Sequence, residues 1–209
     1  MSQEVTDPVE WFNENFEPMI EKFSLDREYM QGYVQLLEKF VEIVDSGKVL
    51  DAGCGWGRDV NFFNENGLDA TGIDMASKPM EYAQENMDGD FQRMDIAYLA
   101  FQDEKFNGVW CNSVIHFYEP EKMHKPVSEL ARVLKKDGIL YINFKLTEEN
   151  PEPDVREEED GSYVKRYLMP REKIEKILED NNLEILEEHS VVNTEDFEKP
   201  VWGVFCRKK

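Results

Sequence analysis

Val49-Leu50-Asp51-Ala52-Gly53-Cys54-Gly55-Trp56-Gly57-Arg58-Asp59, residues 49–59, is the stretch that decides the fold. A short apolar run beginning at Lys48 ends in an acid, three glycines follow at alternate positions, and helix-compatible residues come next. Glycine admits backbone angles closed to other residues and leaves room for close approach, so the spacing predicts a strand, a sharp turn and a helix. The next short run, Asp69-Ala70-Thr71-Gly72-Ile73-Asp74, repeats the strand pattern and sets a β-α-β rhythm.

The rhythm continues outward. Ser77 is expected to cap a helix reaching about Met87; Phe91–Met94, Phe106–Asn112 and Gly138–Lys145 read as strands, with a helix over Glu121–Leu134. A helix over Arg171–Asn181 and strands over Leu183–Val191 and Val201–Arg207 close the pattern. The expected fold class is α/β, a Rossmann-like doubly wound sheet of seven strands, with its last strand antiparallel. Upstream, apolar residues at helical spacing from Trp11 to Phe23 and from Tyr29 to Ile43 predict two helices broken near Ser24-Leu25-Asp26. Asp7-Pro8 opens the first as N-cap and first helical residue. The organisation expected is one domain over 1–209, with a helical cap or lid at 1–45 and the core at 46–209. Residues 147–163, rich in acids with Pro151 and Pro153, are expected to be a solvated loop.

At 209 residues the chain can bury a core without staples, and 12% aromatic content excludes a disordered tail. With 24 basic against 45 acidic residues its net charge is -21, which argues against a nucleic-acid partner. No apolar run approaches the ~20 residues of a membrane span, and the first ten residues lack a signal peptide's basic start and apolar run. A cytoplasmic location with no membrane partner is therefore expected. Cys54, Cys111 and Cys206 form no CxxC pair and read as reduced thiols, and no metal-ligand spacing occurs, so no metal is expected. Nothing in the sequence sets an oligomeric state.

The glycines fall at GxGxG spacing, where a dinucleotide fingerprint has GxGxxG. Asp51, just before the first glycine, would be awkward beside a pyrophosphate and helpful beside an ammonium or sulfonium. Asp74 closes the next strand about 20 residues on, the spacing at which a carboxylate accepts ribose hydroxyls. The two acids together imply an adenosyl ligand without phosphates. A nicotinamide-dependent oxidoreductase shares this β-α-β start, but glycine spacing and the lack of a second substrate domain count against it.

Here the chain resembles the class I S-adenosylmethionine-dependent methyltransferases, from about Gly47 to its end. VLDAGCGWG is similar to their first motif, TGIDMA (71–76) to their ribose-binding turn, and QRMDI (92–96) to their adenine-edge motif. VWCNSVIHF (109–117) and LKKDGILYINF (134–144) are similar to their fourth- and fifth-strand motifs. The family's proline and paired glycines before the fifth strand are replaced by Lys136-Asp137-Gly138, a departure that affects the turn. The resemblance implies S-adenosylmethionine as cofactor and S-adenosylhomocysteine as product. It places Asp51 and the backbones of Gly53, Gly55 and Gly57 around the methionine moiety, Asp74 on the ribose and Met75 against the adenine. Asp95 would accept from the adenine amino group with Ile96 beside it, and Asn112 and Ser113 would lie by the sulfonium.

His116, after the fourth strand, is the candidate general base; its other reading is a satisfied histidine closing the strand end. Asp51 and Asp95 also have readings as helix caps, and Met75 and Ile96 as core residues. Tyr141, Asn143 and Lys145 share a strand face. Lys145, with Tyr163, Lys165, Arg166 and Tyr167, reads either as a rim for an anionic or aromatic acceptor or as a solvated edge. Trp11, Phe12 and Tyr29 read as a lid or as plain cover for the sheet. The activity implied is methyl transfer to an N, O or S nucleophile of a small-molecule acceptor. A protein or tRNA acceptor is the runner-up, and a non-catalytic S-adenosylmethionine-binding partner subunit is a third reading.

Overall fold

The computed structural model describes residues 5–191 and 201–209; of the cap expected over 1–45, residues 1–4 lie outside the described residues. Two helices, α1 (Pro8–Lys22) and α2 (Gln31–Val44), precede β1 (Lys48–Ala52), α3 (Arg58–Glu65), β2 (Asp69–Asp74), α4 (Ser77–Asn86) and β3 (Asp90–Arg93). There follow β4 (Phe106–Cys111), α5 (His124–Val133), β5 (Leu134–Thr147), β6 (Glu152–Glu157), β7 (Tyr163–Pro170), α6 (Arg171–Asp180), β8 (Leu183–Val191) and β9 (Val201–Lys208).

Strands run in the order β3-β2-β1-β4-β5, all parallel, and β9 then pairs antiparallel with β5 and β8 with β9. These are the seven strands the sequence predicts. The inner ones read as nearly continuous apolar runs because helices cover both faces. Val49 and Leu50 show the alternation. Val49 joins Leu37, Phe40, Val60, Phe63, Met80 and Ala83 of α2, α3 and α4, whereas Leu50 joins Val127, Leu130, Ile174 and Leu178 of α5 and α6. On the first face the Trp110 ring stacks on Tyr141, centroids 3.9 Å apart. The three cysteines are free and buried.

Three expectations need correcting. Residues 147–163 are not a loop throughout, since β6 and β7 form an antiparallel hairpin that continues from the end of β5, where Leu146 pairs with Met169 and Thr147 with Pro170. Burial alternates strictly along β6, but the less exposed positions hold Glu152, Asp154 and Arg156 in place of apolar residues, so a search for apolar period two finds nothing. Pro153 is tolerated because β6 is an edge strand.

Ser77 does not cap α4. The cap is supplied from α1, where Asn13 Oδ1 accepts the Lys78 N–H at 2.9 Å and the Ser77 hydroxyl at 3.4 Å. Helix α5 begins at His124 and not at Glu121, which leaves Pro126 in the first turn, where no backbone N–H is needed. Strand β5 accordingly starts at Leu134, with a register shift against β4 and a left-handed Asp137 at the departure from the family's turn.

Asp7 caps α1 as expected, its Oδ1 accepting from Val9 and Glu10. Among the described residues no helix is long and apolar enough to cross a membrane.

Candidate functional site

Parallel strands β1, β2 and β4 all end on one side of the sheet, and the loops leaving them converge there. Gly53 leaves β1 at φ +92°, and its N–H, with that of Cys54, donates to the Ile73 carbonyl (2.8 and 2.9 Å), which ties the glycine loop to β2. A Cβ on Gly53 would overlap Val114 Cγ2; one on Gly55 would come 3.1 Å from Phe12 Cζ of α1. The cap helix thus rests on the glycine loop. Phe12 also lies 6.3 Å from the Trp56 ring, so Trp56 packs under the cap.

Asp74 completes the loop: Oδ2 accepts from Gly55 N at 3.0 Å and Oδ1 from Ala76 N at 2.8 Å. Each oxygen keeps a lone pair for a ligand hydroxyl. Burial raises its pKa above the usual carboxylate value, against the pull of these N–H groups.

Asp51 is 2% exposed, and its Oδ2 has no hydrogen-bond partner. Burial first, then the neighbouring Asp59 and Asp74 charges, hold its carboxyl well above the usual range, with Arg58 opposing them. Asp59, in the first turn of α3, is by contrast fully engaged. It accepts from the Tyr33 hydroxyl, from Trp110 Nε1 at 3.2 Å and from Arg58 Nε at 2.7 Å.

The Tyr33 oxygen also accepts from Asn112 Nδ2 (3.2 Å); Asn112 Oδ1 accepts from Asn143 Nδ2 (2.6 Å), and Asn143 Oδ1 accepts the N–H of Ser113 (2.7 Å). One chain of hydrogen bonds therefore runs from α2 through the end of β4 to β5, and it holds Ser113 in a left-handed conformation at φ +61°.

Of the residues singled out by sequence, Asp51, Gly53, Gly55, Gly57 and Asp74 come together at these strand ends, and Asn112 and Ser113 close the neighbouring loop. Met75 is 39% exposed beside Asp74, while Ile96 is buried in the core. No helix follows Asp95, so it caps none; its Oδ1 closes a turn, accepting from Ala97 N (2.8 Å) and from the Tyr118 hydroxyl (2.5 Å).

His116 sits in a 3-10 turn over Ile115–Phe117 and is 6% exposed. Burial, then the charges of Lys145, Arg166 and Arg156, push its pKa well below the usual histidine value, so the ring is neutral at pH 7. Sequence reasoning missed Tyr33, Arg58, Asp59 and Arg156, and weighed Asn143 only as part of a strand face. Arg58 and Asp59 were in view as the last letters of the glycine motif; Tyr33, in a helix whose pattern reports only burial, carried no signal.

A cleft of about 470 Å³ opens between Val5–Pro8, Phe117–Lys122 and the β7 residues Lys165 and Tyr167. It does not reach Asp51 or Asp74, which lie under the cap side of the site. Among the described residues no group of three or more His, Cys, Asp or Glu side chains is disposed to hold a metal.

Residues 50–142 match the family model described as a methyltransferase domain. A Bacillus subtilis protein named as a methyltransferase, YqeM, is 27% identical over 139 residues, covering 60% of this chain and 56% of its own length. The malonyl-[acyl-carrier protein] O-methyltransferase of Enterobacter lignolyticus is 27% identical over 106 residues, covering 50% of this chain and 41% of its own. The matches thus span about half the length of these curated relatives. Magnesium protoporphyrin IX methyltransferase from Synechocystis PCC 6803, solved with bound S-adenosylmethionine, superposes with a TM-score of 0.69 at 19% identity, covering 100% of both chains.

Proposed function

We propose that this chain, a class I S-adenosylmethionine-dependent methyltransferase, moves the cofactor's methyl group to an N, O or S nucleophile of a small molecule, with its cap (1–45) and core (46–209) working as one domain. The observation that carries the reading is Asp51 Oδ2, a buried carboxylate oxygen without a partner beside a glycine cradle. Burying such a group is costly unless a positive ligand compensates it. Three carboxylates, Asp51, Asp59 and Asp74, stand at these strand ends against one arginine, which suits a ligand that carries an ammonium and a sulfonium and has no phosphates.

Bound there, S-adenosylmethionine would supply a methyl group on a sulfonium, transferred to the acceptor with the electron pair of the broken S–CH3 bond staying on sulfur. Asp51 and the backbones of Gly53, Gly55 and Gly57 hold the methionine end, Asp74 the ribose, and Met75, Asp95 and Ile96 border the adenine. Asn112 and Ser113, fixed by Asn143, line the passage to the acceptor. Phe12 and Trp56 keep water from the glycine loop, which protects the electrophile and orients its approach. Most of the acceleration comes from that alignment, since a neutral nucleophile attacking a sulfonium disperses charge. His116 takes the acceptor's proton only where the surrounding cations are compensated, because each of them opposes a positive ring. An O-methyltransferase among the relatives supports an oxygen nucleophile.

Titration calorimetry with S-adenosylhomocysteine tests the reading. One-to-one binding is expected, and Asp74→Ala should weaken it by about 1.5–3 kcal/mol, roughly ten- to hundredfold. Absence of binding by the wild-type protein would sink it.

A further inference from the structure

Past the end of β3 the cofactor site is organised around Asp95. Asp74 lies opposite Arg93 in the β2–β3 register, and the Met94 N–H donates to the Asp74 carbonyl at 2.9 Å, which brings Asp95 close to the end of β2. Arg93 Nε donates to the Met75 carbonyl at 2.9 Å. The turn after Asp95 is closed twice, by the Tyr98 N–H on the Asp95 carbonyl (2.9 Å) and by the Ala97 N–H on Oδ1 (2.8 Å). All of these contacts are local to β2, β3 and the turn.

The Tyr118 hydroxyl is the exception. It comes from the segment after β4, where Tyr118 ends the 3-10 turn over Ile115–Phe117, and donates to the same Oδ1 at 2.5 Å. The half-buried ring packs against the core, and a tyrosine hydroxyl placed there needs an acceptor. Burial first, and then the hydrogen bond to Asp95 and its charge, hold the phenol pKa far above its usual value, so the hydroxyl keeps its proton and donates. The charge of Asp74 adds to the shift, which puts the hydroxyl within electrostatic reach of both acids. Two donors thus fill the two lone pairs of Oδ1, whereas Oδ2 receives no hydrogen bond from the described residues.

We infer that Tyr118 is a positioning residue for the cofactor's adenine, fixing the Asp95 carboxylate so that Oδ2 accepts from the adenine amino group. The inference rests on the methyltransferase reading, which borders the adenine with Met75, Asp95 and Ile96. With the Ala97 N–H alone on Oδ1, the carboxylate plane could turn about its last side-chain bond, a soft torsion in aspartate. The second donor, from another part of the chain, fixes that plane. A fixed acceptor discriminates between bases. An amino group donates to Oδ2, whereas an oxygen at the same ring position has no proton to give and leaves the carboxylate unpaired against its own lone pairs. Tyr118 acts through Asp95 and not on the reacting atoms.

The test compares two ligands on the full chain by titration calorimetry: S-adenosylhomocysteine, and S-inosylhomocysteine, in which an oxygen replaces the amino group. Wild type should bind the adenosyl ligand about tenfold or more tightly. Tyr118→Phe, which keeps the ring, should lower that preference about threefold or more, mainly through weaker binding of S-adenosylhomocysteine. In an Asp95→Ala background the same substitution should leave the remaining preference unchanged, because the group through which Tyr118 acts is gone. Should the phenylalanine variant fail to fold, 4-fluorophenylalanine placed at position 118 fills the space of the hydroxyl without a proton to donate and should give the same loss. A preference that survives either replacement, or equal weakening of both ligands as a purely structural tyrosine would give, would overturn the inference. Equal binding of the two ligands by wild type would overturn it as well and leave the methyltransferase reading standing. Failure of wild type to bind either ligand strikes that reading, and the inference falls with it.

Discussion

The glycine-loop end of the site and the hairpin end are built from opposite materials. At the first, Asp51, Asp59 and Asp74 gather around a backbone turn, and the loop itself is shaped by residues that have no side chain. At the second, Lys145 of β5 lies near Arg156 and Arg166 of the β6–β7 hairpin, and the shape comes from β-sheet register. The first end is held by geometry that only glycine permits, and the second by ion pairs that many sequences could supply. That difference determines which end tolerates substitution and which end could be read in advance.

The sharpest way to break the comparison is at Gly53. Alanine there would have to adopt φ +92° and push its Cβ into Val114. Left-handed strain and overpacking together should cost roughly 2–4 kcal/mol of stability and remove cofactor binding. Thermal denaturation and calorimetry with S-adenosylhomocysteine would check both. Val155→Ala on the hairpin, at a position 40% exposed, should change stability by less than about 0.5 kcal/mol. Equal losses from the two substitutions would remove the contrast.

The same contrast explains what was legible in the sequence. Glycines at alternate positions after an apolar run report a backbone conformation directly, so the strand-turn-helix, Asp51 and Asp74 could be placed from letters alone. Helices on both faces and the antiparallel last strand followed from the β-α rhythm. The hairpin was invisible because the less exposed positions of β6 are Glu152, Asp154 and Arg156, which mimic a solvated loop; charged residues at those positions leave no apolar period. The cap of α4 was misplaced for a related reason, since Asn13 lies 64 residues from the helix it serves and only tertiary contact brings it there.

Asp51→Asn should have the next largest effect. The folded-state pKa of Asp51 is raised, so the native protein holds this proton more tightly than the unfolded chain, and the stability gained from it is lost as pH rises through the folded value. Asparagine does not titrate. The variant should therefore melt higher than wild type at neutral pH in the absence of ligand, with the gap closing as pH falls below the ordinary aspartate range. It should also bind S-adenosylmethionine about tenfold or more weakly, through loss of a charged partner. Wild-type binding should release protons at pH values where the free carboxyl is still protonated, because a positive ligand favours the ionised carboxylate, and calorimetry in buffers of different ionisation enthalpy would measure them. A variant that is less stable and binds as well as wild type would take Asp51 out of the site.

Lys145→Met probes the other end, and there the pH dependence has the reverse sign. The Lys145 pKa is lowered to about 8 in the folded protein, so at pH below 8 the native state carries a buried ammonium under a penalty that the unfolded chain does not bear. Between pH 8 and the ordinary lysine value near 10.5 the unfolded chain holds more protons than the native one, and stability rises with pH as the penalty fades. Replacement by methionine should stabilise the protein at pH 7 by on the order of 1 kcal/mol once solvent screening is allowed for, with the advantage shrinking above pH 8. Denaturant melts of both proteins from pH 6 to about 10.5 would trace the difference across the window set by the two protonation states. If the methionine variant is no more stable than wild type at pH 7, or its advantage does not shrink between pH 8 and about 10.5, burial does not hold the Lys145 ammonium under a penalty.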